Sequence, residues 1–174
     1  MMQIAQDISM QRPPLDIGQI ARDHYETVYR FCARRIGVDA ASDAAQETFL
    51  TAQKVLSKFA GRSDLKTWLL GIAHNECRRL ARKRRLAPEP LPLSEPDNGI
   101  SEENTIVDRE VLRAAFAKLS PEHRHVVLLR EVEGLSYEEA GKILGIPEGT
   151  VKSRLHHAFI QLRKSMGDAQ GDRS

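Results

Sequence analysis

The chain has 174 residues, 41% of them hydrophobic, which is enough to bury one ordinary core or two small ones. Its 26 basic and 24 acidic side chains leave a net charge of +2, which by itself indicates no particular partner. Two widely spaced cysteines, no basic leader and no run near the roughly 18 apolar residues of a spanning helix argue against secretion or stable membrane insertion, so we expect a cytoplasmic protein.

In the first half of the chain, apolar residues recur at steps of three and four, the spacing of one helical face. A first helix is predicted at roughly 16–36, where Gly37 stops it. A second is predicted at about 40–58. A third starts near Ser63, a candidate N-cap, and ends in a basic run before Pro88.

Charge is distributed in blocks along the chain. Residues 62–85 carry eight basic and two acidic side chains, whereas residues 86–110 carry one basic and seven acidic. Four prolines and an Asp-Asn-Gly turn between Leu86 and Ser101 argue against a packed helix there. The pattern predicts a basic surface for a polyanion, followed by an acidic, flexible linker that can be a plain tether.

Helical spacing resumes after this acidic stretch. Four further helices are predicted, at about 102–119, 121–133, 136–144 and 148–165. Ser120 before Pro121 has the pattern of an N-cap followed by proline at the first helical position. Ser136 with Glu139 has the spacing of a capping box.

No run alternates apolar and polar residues long enough to indicate a strand. We therefore predict an all-α fold of two small helical domains joined by a flexible linker. The predicted boundaries are an N-terminal tail at 1–14, a first domain at 15–86, the linker at 87–104, a second domain at 105–166 and a C-terminal tail at 167–174.

The segment from Ser136 to Leu155 has helix-turn-helix spacing, in which the second helix enters the DNA major groove. Gly141 lets the helices approach, and Gly145 makes the turn. The inward side chains are predicted to be Val151, Leu155, Ala158 or Phe159, and Leu162. The residues predicted to face DNA bases or phosphates are Gly149, Thr150, Lys152, Ser153, Arg154, His156 and His157. The alternative is a solvated helical hairpin, which the matching caps, turn and apolar positions disfavour.

This segment resembles the second conserved domain of the extracytoplasmic-function (ECF) group of sigma-70-type sigma factors, which binds the minus-thirty-five promoter element. Two positions depart from the family's pattern. Ala140 stands where a larger aliphatic residue is common, which implies looser helix packing. His157 stands where an arginine often contacts DNA, and a neutral imidazole has less charge and fewer donors than a guanidinium.

The first half resembles the same family. Residues 43–49, with the sequence DAAQETF, are similar to its Asp-x-x-Gln-Glu-x-Phe signature, which docks on the coiled coil of the polymerase clamp. Spacing alone places Asp43, Gln46 and Glu47 on one helical face, opposite Phe49. Without the resemblance, this face would be read as merely solvated. The resemblance implies that these four side chains bind polymerase.

Farther along, Phe59, Gly61 and the run from Trp68 to Asn75 resemble the family region that binds the minus-ten element and traps an unstacked base. Such a base needs amide or hydroxyl donors, with basic side chains on the flanking phosphates. Trp68 can stack on the base or, being in phase with apolar neighbours, belong to the core. The residues implied are Gly61, Arg62, Ser63, Trp68, Asn75, Arg78, Arg79, Arg82 and Lys83.

The resemblance implies a factor that gives RNA polymerase promoter recognition, DNA melting and transcription initiation. Its implied partners are core polymerase, held at clamp and flap, promoter DNA and an anti-sigma factor. We expect it to be a monomer when free and not to be an enzyme, since catalysis belongs to the polymerase. Two alternatives stay open, a helix-turn-helix regulator that acts without core polymerase and a helical adaptor that binds another protein.

Other candidate sites are set aside. The histidines at 74, 123, 125, 156 and 157 lack a full ligand set with metal spacing. Cys32 and Cys77 are in phase with apolar faces, which favours buried thiols over a redox pair. No phosphate-cradling glycine loop and no paired catalytic carboxylates occur. We therefore expect no metal, no cofactor and no catalytic residue.

Overall fold

The structure, a computed structural model, describes residues 15–84 and 111–171. All regular elements in these two ranges are helical, which confirms the predicted all-α fold. None of the described helices combines the length and apolar character that crossing a bilayer requires. The predicted tail at 1–14, the linker at 87–104 and the start of the helix predicted from residue 102 lie outside the described residues.

The first domain is a bundle of three helices. They are α1 (Ile17–Ile36), α2 (Val38–Val55), which runs into a 3-10 turn at Leu56–Lys58, and α3 (Leu65–Arg84). Asp16 caps α1 because its carboxylate accepts hydrogen bonds from the amides of Gly18 and Gln19, each at 3.1 Å. Gly37, at φ 84°, ends α1 as predicted.

The beginning of α3 corrects one prediction. Ser63 is not the cap; the carboxylate of Asp64 accepts the hydrogen bond from the Thr67 amide at 2.5 Å. A carboxylate at a helix N-terminus also interacts favourably with the helix dipole, which a serine hydroxyl does far less. The bonds from Thr67 favour the ionised form and lower the pKa of Asp64.

The described part of the second domain is built from four helices. They are α4 (111–117), α5 (Pro121–Val127), α6 (Tyr137–Leu144) and α7 (Glu148–Gly171). A π-helical segment, Leu128–Val132, continues α5. Both predicted N-caps are confirmed, since the Ser120 hydroxyl accepts from the His123 amide at 3.3 Å and Ser136 with Glu139 forms a complete capping box.

Helix α7 is longer than predicted. The sequence interpretation ends it at about residue 165 and assigns 167–174 to a tail, whereas the helix continues to Gly171. A single glycine inside a helix, here Gly167, costs about 0.5–1 kcal/mol and does not end it when no proline follows. The prediction gave too much weight to that glycine.

The two domains pack against each other. Their buried apolar side chains form one contiguous cluster. Helices α3 and α6 come close at Gly71, where an added Cβ would lie 3.8 Å from Cγ1 of Ile143. This contact places α6 opposite one face of α3.

Candidate nucleic-acid interface

A cleft of about 500 Å³ lies between the two domains. The loop before α3 and the first half of α3 form one wall, with Arg62, Ser63, Trp68 and Asn75 in it. Gly61 precedes them at φ 66°, a left-handed conformation that favours glycine, and so turns the loop into α3. The structure therefore brings the loop and helix residues of the predicted minus-ten site together.

Trp68 combines the two alternatives that the sequence left open. Its ring packs on Phe59, with 4.9 Å between ring centroids, and it also lines the cleft. Asn75 lies two helical turns farther along and is exposed. An aromatic ring beside a side-chain amide suits a base that has left its stack, because the base can both stack and hydrogen-bond there.

Exposed basic side chains continue this face toward the end of α3. Arg78, Arg82 and Lys83 are all exposed, as a phosphate-binding role requires. Arg79 is placed differently, since its Nε lies 2.7 Å from a carboxylate oxygen of Glu76 and its Nη2 lies 2.9 Å from one of Glu47 on α2. The charge of Arg79 is therefore partly neutralised within the protein.

The candidate polymerase-binding residues lie on α2. Asp43 and Gln46 are exposed, whereas Glu47 and Phe49 are half-buried. Three residues between them are fully buried, so the polar group occupies the outer face of the helix. The Phe49 ring stacks with Tyr25 at 6.1 Å between centroids. This arrangement agrees with the face predicted for the acid and amide groups.

Helices α6 and α7 form the predicted helix-turn-helix. Gly145, at φ 68°, makes the turn, and the Ile146 amide donates to the Gly141 carbonyl at 3.0 Å. A Cβ on Gly141 would lie 2.8 Å from the Ile146 carbonyl oxygen, so the crossing has room only for glycine. Of the two alternatives for the inward face, Ala158 is buried and Phe159 is 43% exposed, so Ala158 is the inward residue.

The outer face of α7 presents the remaining predicted DNA-facing side chains. Those at 149, 152, 153, 156 and 157 are exposed, and those at 150 and 154 are half-buried. The Lys152 ammonium lies 2.6 Å from a Glu148 carboxylate oxygen, which raises the pKa of the lysine, and 5.2 Å from the ring centre of Tyr137. Sequence spacing did not point to Tyr137, because it lies on α6.

An apolar groove of about 210 Å³ on the second domain was not located from the sequence. Val132 and Phe159, each 43% exposed, belong to it. Its lining consists of Arg34, Leu112, Phe116, Val127, Leu128, Val132, Phe159 and Leu162. Large apolar side chains left in water mark a binding surface. The signal for it was Phe159 next to Ile160, both out of phase with the buried face.

The two cysteines are free thiols, and both are fully buried, as predicted. A hydrogen bond with Cys77, together with burial, raises the pKa of Cys32. Within residues 15–84 and 111–171, no three His, Cys, Asp or Glu side chains lie close enough together to hold a metal ion.

Both domains match known protein families. Residues 20–87 match the family described as sigma-70 region 2, and residues 109–162 match sigma-70, region 4. The RNA polymerase sigma factor YlaC of Bacillus subtilis is 34% identical over 161 residues, which cover 86% of this chain and 91% of YlaC. The ECF RNA polymerase sigma factor SigW of the same organism is 32% identical over 168 residues, 88% of each chain. The chain belongs to the ECF group of RNA polymerase sigma factors.

The likeness of this ECF sigma factor to solved structures extends over both domains. The sigma factor RpoE of Bartonella quintana, solved in complex with the anti-sigma factor NepR, is 26% identical with a TM-score of 0.71, covering 87% of this chain and 97% of that one. Helices α1 to α3 thus form region 2 of the ECF sigma factor, and α4 to α7 lie within region 4. The resemblance drawn from the sequence motifs is confirmed.

Proposed function

We propose that this ECF sigma factor directs core RNA polymerase to promoters and supports DNA melting and transcription initiation in the cytoplasm. The sigma factor supplies binding and positioning, and the polymerase carries out catalysis. The observation that carries the proposal is the convergence of Arg62, Ser63, Trp68 and Asn75 on one cleft. A single-stranded base stacks and hydrogen-bonds in such a setting.

Region 2 would contact both DNA and polymerase. Trp68 and Asn75 would hold a minus-ten base, and Gly61 would shape the loop beside it. Arg78, Arg79, Arg82 and Lys83 would hold the flanking phosphates. Asp43, Gln46, Glu47 and Phe49 on α2 would bind the clamp, where an exposed acid and amide face suits a basic helical partner.

Region 4 would bind the minus-thirty-five duplex through the outer face of α7. The free amides at Gly149 and Thr150 suit a phosphate, and Lys152, Ser153, Arg154, His156 and His157 can reach base edges or backbone. The apolar groove of region 4 fits an amphipathic helix, and we assign it to the polymerase flap. An anti-sigma factor would keep the sigma factor from polymerase, in line with the complex known for RpoE of Bartonella quintana.

The test of this function is run-off transcription. Core polymerase supplemented with this chain is expected to produce discrete transcripts from a promoter library, and core polymerase alone is not. Absence of initiated RNA from every template would refute the proposal. Binding to core polymerase without transcripts would instead favour an adaptor.

Replacing Gln46 by alanine is expected to weaken capture of core polymerase by about 5- to 30-fold, the effect of losing one well-placed interface side chain. Gln46 is exposed, so folding should be unaffected. The control is Gln53→Ala, the same change at an exposed site two turns farther along α2. Equal affinities of the two variants, measured by surface plasmon resonance, would remove Gln46 from the interface.

Replacing Lys152 by alanine is expected to weaken binding to all duplex sequences similarly and to lower the slope of log affinity against log salt by about 1. The reason is that one phosphate contact, and the counterion it displaces, is lost. The control is Lys164→Ala, an exposed lysine more than three turns farther along α7. Fluorescence anisotropy across a salt series measures both slopes, and an unchanged slope for Lys152→Ala contradicts the assignment.

A further inference from the structure

The second wall of the cleft is the protein's own helix α6. Ser136, Glu138, Glu139, Lys142 and Ile143 face the candidate minus-ten residues across it. A promoter strand that reaches Trp68 and Asn75 needs the space beside α6. The arrangement of the two domains therefore bears directly on access to DNA.

A buried carboxylate holds this arrangement. Glu133 follows the π-helical segment and is only 8% exposed. Its oxygens lie 3.3 Å from Nη1 of Arg34 on α1 and 3.4 Å from Nζ of Lys66 on α3. The Lys66 ammonium also donates to the Glu133 backbone carbonyl at 2.8 Å. We call these three residues the Glu133 cluster. A buried carboxylate is costly unless it is paired, so the cluster favours the two domains in contact over the two apart.

Further contacts extend from the Glu133 cluster along the boundary. The Thr67 hydroxyl donates to the Glu139 carboxylate at 3.0 Å. Gly71 lets Ile143 approach α3. At the far end, the rings of His74 on α3 and His125 on α5 lie 6.1 Å apart, edge to face. Polar, apolar and aromatic contacts thus join the domains on the side of α3 that carries the candidate site.

A promoter requires a different arrangement. The minus-ten and minus-thirty-five elements are about 25 base pairs apart, which is about 80 Å of duplex at about 3.4 Å per base pair. Two domains in direct contact do not bridge that distance. The 26 residues from 85 to 110 that connect them can span up to about 90 Å when extended. The chain can therefore hold both elements only after the boundary opens.

We propose that the sigma factor inhibits itself, with the Glu133 cluster holding α6 of region 4 across the minus-ten site of region 2. The occupant of the cleft is the chain's own helix, which a promoter strand must displace. The proposal rests on the minus-ten role proposed above for Trp68 and Asn75. It adds an equilibrium within the free chain, in which only the open fraction binds DNA and the apparent affinity falls in proportion to that fraction.

Small-angle X-ray scattering of the free, full-length chain tests the closed arrangement without DNA. Glu133→Gln is expected to raise the radius of gyration by several ångströms, because two cations lose their buried partner. Glu131→Gln, the same change at an exposed site two residues away, is the control and should leave the radius unchanged. Lys66→Gln repeats the test from region 2, where loss of folding is no concern because Lys66 lies near the surface. Equal radii for all four proteins would overturn the proposal.

Anisotropy with a labelled random-sequence single-stranded DNA 12-mer tests the occlusion. Glu133→Gln and Lys66→Gln are expected to bind at least about fivefold more tightly than the parent and Glu131→Gln, although Lys66→Gln removes a positive charge. Opening without tighter binding would overturn the occlusion. Adding Asn75→Ala to Glu133→Gln should abolish the gain. Persistence of the gain would refute the minus-ten assignment, while the scattering still decides whether the chain closes on itself.

Discussion

A Gly141→Ala variant is expected to lose about 1–3 kcal/mol of folding stability in region 4, and duplex DNA binding with it. The added Cβ would lie 2.8 Å from the Ile146 carbonyl oxygen and 3.6 Å from Cγ2 of Val151. The first neighbour is backbone in the turn and cannot rotate away. Alanine normally gains up to about 1 kcal/mol over glycine within a helix, but the overlap exceeds that gain, so the net effect is destabilising.

The matched control is Gly167→Ala on α7, where nothing lies within 4 Å of the added Cβ. That variant should be as stable as the parent or slightly more so. Thermal unfolding followed by circular dichroism measures both, and Gly141→Ala should melt about 5–15 °C lower. If the two variants melt together, the crossing of α6 and α7 is looser than the structure indicates.

The second large effect concerns pH. Burial lowers the pKa of His74 to about 3 and that of His125 to about 2, and the nearby cation of Arg35 lowers both further. Arg78 and Arg124 add to the same effect, the first on both rings and the second on His125. Both rings are therefore neutral in the folded protein at pH 5 to 7, and each titrates near 6.5 once it is exposed.

The sign follows from proton uptake. Between about pH 6.5 and the lowered pKa values, the unfolded chain binds protons that the folded chain refuses, so stability falls as pH falls. Each histidine contributes at most about 1.4 kcal/mol per pH unit. The pKa values of Asp64, Glu122 and Glu139 are also lowered, by hydrogen bonds, but carboxylates act only below about pH 4.5.

Thermal unfolding at pH 7.5, 6.5, 5.5 and 5.0 therefore isolates the histidines. The midpoint is expected to hold between pH 7.5 and 6.5 and to drop below it. His125→Asn should reduce the drop, and His156→Asn, at an exposed site on α7, should not. A parent protein with the same midpoint at pH 7.5 and 5.0 would show that the two rings are hydrated.

Features that depend on neighbours in the sequence could be predicted from it. The caps at Ser120 and Ser136 require only a hydroxyl and an amide within three residues, and the glycines at 141 and 145 mark a crossing and a turn by their lack of a side chain. The misplaced cap at the start of α3 is also local. Adjacent Ser63 and Asp64 are both good caps, and sequence alone did not decide between them.

Features that depend on the packing of distant segments could not be predicted. Arg79 reads as one more phosphate ligand in a basic run, yet Glu47, 32 residues away, shares it. Glu133 reads as a solvated acid before a glycine, and only the packing of region 4 on region 2 buries it. Phe159 is as apolar as a core residue, and its exposure depends on Ala158 filling the inward position.

Several cations on the DNA-facing surfaces already have acidic neighbours, Lys152 with Glu148, Lys142 with Glu138, and Arg79 with Glu47 and Glu76. Each phosphate must therefore compete with a carboxylate of the protein for the same ammonium or guanidinium. Such internal competition weakens indiscriminate adhesion to the chromosome more than it weakens a site where many contacts form at once. A factor present in few copies would then spend less of its time on irrelevant sequence.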